Sequence, residues 1–74
     1  MKTVSADAPT LQRIAALLAA FRELETSGAS RSDHPSHEKR NQLLDELQDA
    51  VGLAGKMVME RDIVKRAERL LAGS

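Results

Sequence analysis

The hydrophobic positions in the C-terminal half of the chain follow two helical phases that disagree. On a wheel advancing about 100° per residue from Leu43, the residues Leu43, Leu44, Leu47, Ala50, Val51, Ala54 and Val58 fall within roughly one 120° arc. Continued on the same wheel, Met59, Ile63, Val64, Ala67, Leu70 and Leu71 gather on an arc centred roughly 180° away. A straight helix over 37–72 would therefore aim its two halves at opposite neighbours. Either the chain turns within Gly52-Leu53-Ala54-Gly55-Lys56-Met57, so that both faces meet one core, or the helix is continuous and its far half packs on a second copy. Glycine costs a helix interior about 1 kcal/mol relative to alanine. The pair Gly52 and Gly55 therefore favours the turn, although a glycine inside a helix also lets another backbone approach closely.

The pattern predicts a first helix over 10–26. Pro9 is tolerated in a first turn and Thr10 can cap orphan amides. The apolar set Leu11, Ile14, Leu17, Leu18, Phe21 and Leu24, with Ala15 at one edge, covers roughly half the wheel. That is more than one neighbour hides, so this helix should touch two others. Ala15, Ala16, Ala19 and Ala20 are read mainly as good helix formers, with a small-residue contact face as the alternative. Residues 1–8 lack periodicity and are expected to be a loose tail, leaving 9–74 as a single α-helical domain. Residues 27–36 are turn formers with nothing to bury, Gly28 suits a helix stop, and this long connection is expected to be mobile. A second helix is predicted over 37–51 with Ser36 as its cap, and a third over 57–72 ending at Gly73. The expected fold class is all-α, a small three-helix bundle or helical hairpin that dimerises. Its core or oligomer contacts would come from Leu11, Ile14, Leu18, Phe21, Leu44, Leu47, Val51, Ile63 and Leu70.

Length and composition sharpen this picture. A chain of 74 residues is near the size at which one core barely suffices, and without cysteine it has neither disulfide nor thiolate zinc site to staple it. Good helix packing or a homo-oligomer must compensate. Phe21 is the sole aromatic residue, which removes base-stacking platforms and aromatic cages. The longest apolar run, Ile14 to Phe21, is too short for a bilayer. No small-residue cleavage site follows it, so neither a signal peptide nor a membrane partner is expected and a cytoplasmic location is.

The formal net charge of zero conceals a division. Residues 42–55 contain three acids, Asp45, Glu46 and Asp49, whereas 56–74 hold five bases against three acids. Arg61, Lys65 and Arg69 are four apart and stack on one side of a helix, with Arg66 nearby. This stripe can be a solvated face helped by the helix dipole, a dock for an acidic protein surface, or a phosphate-contacting face. The last is weakened by Glu60, Asp62 and Glu68. Met57, Val58 and Met59 cannot all face one core, since successive helical residues point about 100° apart. At least one flexible side chain beside the turn should thus lie exposed or at an interface. The partner-binding candidates are Met57, Met59, Arg61, Lys65, Arg66 and Arg69.

Catalytic chemistry finds no footing. His34 and His37, flanked by Asp33 and Glu38, are the only histidines. Pro35 interrupts the helix that would align them, and no third metal ligand is fixed by spacing. Ser27, Ser30, Ser32 and Ser36 have no held base, and no strand precedes a glycine-rich phosphate loop. No metal, no cofactor and no enzymatic activity are expected. The reading is a non-enzymatic module, an adaptor, chaperone or inhibitor, that binds a partner protein through helix faces. The alternative is a helix-turn-helix-like DNA-binding regulator using the basic face of 57–72. Against it, Lys56, Met57, Val58 and Met59 would enter a groove first and read base edges poorly.

Overall fold

Gly52 takes the left-handed backbone that glycine adopts without strain (φ 82°), and there the chain turns back. The computed structural model describes residues 8–73, which form α1 (Ala8–Thr26), α2 (His37–Ala50) and α3 (Glu60–Ala72), with no strand among the described residues. Each helix contacts both others, α1 included, as its broad apolar arc requires. The proposed tail over 1–8 lies outside the described residues except Ala8, which opens α1 two positions before the expected start. Pro9 stands in the first turn, and Thr10 sits inside the helix rather than before it.

Helices α1 and α2 end by the same device. Gly28 (φ 94°) follows α1, with its amide donating to the Glu25 carbonyl (3.1 Å) and the Ala29 amide to the Leu24 carbonyl (2.9 Å). Gly52 follows α2 likewise, donating to Asp49 (3.1 Å) while Leu53 donates to Gln48 (2.9 Å). These paired bonds are Schellman closures, which satisfy the last carbonyls and need a left-handed residue at the stop. A Cβ built on Gly52 meets nothing within 4 Å, so a side chain there costs backbone strain alone. Gly52→Ala is expected to lower the unfolding free energy by about 1 to 2 kcal/mol, with Gly52→Asn losing less because asparagine tolerates this region. Urea titration of the three proteins checks the order.

The connection 27–36 is more closed than its composition suggests. The Arg31, His34 and His37 amides donate in turn to the carbonyls of Gly28, Arg31 and His34, at 3.0 to 3.1 Å. The expectation that it has nothing to bury is corrected by Ala29, which is fully buried as the hydrophobic residue after the helix stop. Ser36 occupies the position before α2 but makes no side-chain cap. Its carbonyl accepts the Arg40 amide (2.9 Å), and its own amide donates to His34 Nδ1 (3.0 Å).

The third helix starts at Glu60, not 57. After Gly52, a turn closed by the Lys56 amide on the Leu53 carbonyl (3.1 Å) puts Gly55 at φ 76°. The chain then runs without helical structure to Met59, whose backbone is extended (ψ 156°) at the helix cap. Val58 is β-branched and disfavours helix, whereas Glu60 and Asp62 suit the positive end of a helix dipole. In place of a 100° rotation, side chains here alternate: Met57 and Met59 are exposed and Val58 packs against the core. The placement of Met59 on an apolar helical face is therefore overturned, and Ala54, also assigned to a buried arc, is exposed.

The core joins Ile14 and Leu18 of α1, Leu47 and Val51 at the end of α2, and Ile63 and Ala67 of α3. Leu44 and Leu70 pack partly buried around it, and Phe21 is buried, whereas Leu11 is half-buried outside this cluster. No helix among the described residues is long and apolar enough to cross a membrane.

Candidate partner-binding surface

The linker 51–59 is held from one side by Gln48, whose side-chain amide donates to the carbonyls of Leu53 (2.8 Å) and Lys56 (2.9 Å). From the other side, Arg66 Nε donates to the Val51 carbonyl (2.9 Å). This framework presents Met57 with its whole side chain in solvent (101% relative exposure) and Met59 at 60%. Arg66 is thus engaged in part in fixing the end of α2, a tertiary contact that the wheel of α3 alone does not contain.

The remaining candidates divide between two depressions. Arg66, Arg69 and Leu70 line one of about 220 Å³. Arg61 and Lys65 border a larger groove of about 420 Å³ between α1 and α3, with Phe21 and Val64 as its apolar members and Arg22, Glu25 and Glu60 completing its edge. On another side, Arg13, Asp45, Glu46 and Asp49 surround an open depression of about 300 Å³, with Arg13 and Glu46 4.0 Å apart.

A residue outside every candidate set organises the groove. Arg40 is buried (6% exposed), donating through Nε to Glu25 (2.7 Å), through Nη2 to Glu60 (2.5 Å) and through Nη1 to Asn41 Oδ1 (2.9 Å). Its guanidinium lies 5.1 Å from the centre of the Phe21 ring, a favourable cation–π position. All three helices are therefore tied at one end by a single fork. The hydrogen bond to Glu60, opposed by burial and reinforced by Glu25, raises the guanidinium pKa above its ordinary value. A further ion pair, Arg22 with Glu68, joins α1 directly to α3.

The sequence does hold a signal for this clamp. Glu25 lies one helical turn beyond Phe21 and two beyond Leu18; Arg40 lies one turn before Leu44 and two before Leu47; Glu60 precedes Ile63 and Ala67 in the same way. Each charge is in register with the apolar stripe of its own helix, where a lone charge would be costly and a mutual set is not. The histidines serve the backbone: His37 Nδ1 donates to the Ala29 carbonyl (2.8 Å) and its Nε2 accepts from Asn41 (3.2 Å). Among the described residues, no group of three or more His, Cys, Asp or Glu side chains is placed to hold a metal ion.

No family model matches the chain, and no curated protein or solved structure is significantly similar to it. What is defined is a class: a small three-helix domain with a clamped groove and a methionine-bearing linker.

Proposed function

We propose that the protein is a non-enzymatic cytoplasmic module that binds a partner protein through the linker 51–59 and the adjoining α1/α3 surface, as an adaptor, chaperone or inhibitor does. The observation that carries this reading is the full exposure of Met57 beside the exposed Met59, on a linker that Gln48 holds by hydrogen bonds and that Val51, Leu53 and Val58 anchor to the core. Methionine is a frequent residue of adaptable binding surfaces, and covering one such side chain contributes about 2 kcal/mol. A second copy is also a natural partner, since Leu11 and Leu43 are half-buried and lie outside the core cluster.

The DNA-binding reading has less behind it. A helix-turn-helix joins its helices by a turn of about 3–4 residues, whereas α2 and α3 are separated by 51–59. The first turn of α3 carries Glu60 and Asp62, which would meet phosphates with like charge. Two measurements test the proposal. The protein is expected to elute from heparin or duplex DNA below about 0.2 M salt, and host proteins recovered by wild-type bait are expected to be lost from Met57→Ser/Met59→Ser bait that melts normally. Steeply salt-dependent DNA retention, or identical recovery by both baits, would overturn it.

A further inference from the structure

The α1/α3 groove has an uneven charge ledger once its internal pairs are taken out. Its two carboxylates, Glu25 and Glu60, are both held by Arg40, and Arg22 is held by Glu68. Arg61 and Lys65 remain, exposed and without an ion pair to any described residue. They lie one turn apart on α3, beside Phe21 and the half-buried Val64. The groove therefore offers apolar contact on its floor and two unanswered positive charges along one wall, in helical register.

We propose that this groove binds an acidic amphipathic helix of a partner protein, one that lays apolar side chains over Val64 and places two carboxylates one turn apart against Arg61 and Lys65. The proposal rests on the protein-binding reading above and names the chemistry of the partner. A helix running beside α3 repeats its acids at the same interval at which α3 repeats its bases, so both pairs form in a single register. The aliphatic stems of Arg61 and Lys65 extend the apolar wall while their heads reach the carboxylates. Arg40 has a second consequence here: by holding Glu25 and Glu60 it keeps two groove carboxylates from neutralising the pair of bases or repelling the incoming acids. A second copy of this chain fits less well. Its α2 carries Asp45 and Asp49 one turn apart, but Gln42 and Glu46 beside them are exposed and polar, Glu46 is paired with Arg13, and the apolar Leu53 one turn on is already packed against its own core.

The test is selection from a displayed library of randomised helices about four turns long, using the full chain as bait. Enriched sequences are expected to carry an apolar stripe flanked by Asp or Glu one turn apart, to bind at least about tenfold more weakly to Arg61→Glu/Lys65→Glu, and to shift the amide resonances of Phe21, Val64 and Lys65 in the wild-type protein. The decisive arm is charge exchange. A selected peptide with its acids changed to lysine is expected to lose wild-type binding and regain it on Arg61→Glu/Lys65→Glu, while Arg61→Gln/Lys65→Gln, checked by melting, controls for folding. Basic or uncharged selections, selections indifferent to the substitutions, or no enrichment overturn the proposal. So does wild-type self-association that Arg61→Glu/Lys65→Glu abolishes. Peptides that instead depend on Met57 and Met59 overturn the groove and leave the broader protein-binding reading standing; loss of both dependences removes that reading too.

Discussion

Arg40→Ala is expected to lower the unfolding free energy by about 3 kcal/mol, the low end of what removing one partner from a buried ion pair costs. The low end applies because the surviving carboxylates are not trapped: the Glu60 and Glu25 side chains are 53% and 36% exposed and can turn to water. What is lost is the fork that ties the ends of the three helices, together with the stem and guanidinium packed on Phe21. Arg40→Met keeps much of that packing and should cost about 1 kcal/mol, since a well-packed apolar replacement of a buried charge is often nearly neutral. Arg40→Lys retains the charge but cannot present two N–H groups to two carboxylates in fixed geometry, and should fall between. The pKa of Arg40 is raised in the folded state. Its stabilisation is therefore complete below the unfolded value and fades only as pH climbs through the folded one. The Arg40→Ala loss measured by urea titration should accordingly not shrink as pH rises from neutral until strong alkali. An Arg40→Met protein as stable as the wild type would show that the clamp contributes only packing.

The clamp also marks the limit of what the sequence made legible. Hydrophobic phase located the chain reversal, because the arcs of Leu43–Val58 and Met59–Leu71 can share one core only if the backbone turns between them. The same phase picked out the buried Ile14, Leu18, Leu47, Val51 and Ile63. Two kinds of information were missing. A wheel scored for apolar residues passes over Arg40 although it sits within the apolar arc of α2, since partner charges on two other helices cannot be seen from one helix. A wheel also assumes helix. It therefore carried Met57, Val58 and Met59 into α3, where the backbone is non-helical and side chains alternate. The partner-binding candidates fared unevenly for the same reason. Arg61 and Lys65 share a groove with α1, but Arg66 reaches back to the Val51 carbonyl, a contact that exists only because the chain reversed. Glu25, Glu60 and Val64 became groove residues through tertiary packing alone.

Leu47→Ala should have an effect as large as that of Arg40→Ala, about 3 kcal/mol, and for a different reason. Leu47 is fully buried at the meeting of the three helices. Truncation removes transfer free energy and leaves a cavity that rigid neighbours fill only in part. A single core in a domain of this size supplies roughly 3–5 kcal/mol of net stability, so Leu47→Ala should be substantially unfolded at room temperature if the protein stands alone. Self-association changes that outcome in a measurable way, because binding that favours the folded state makes the melting temperature depend on protein concentration. Leu11→Ala and Leu43→Ala supply the contrast. Both residues are half-buried outside the core cluster, and in a monomer each truncation should cost about 1 kcal/mol or less. Within a dimer that covers them, each should cost about 2 kcal/mol or more, and both variants should lose the concentration dependence shown by the wild type. Melting the four proteins over a hundredfold range of concentration therefore separates a self-sufficient three-helix core from one completed by a second copy, and a concentration-independent wild type with small Leu11 and Leu43 effects excludes the dimer.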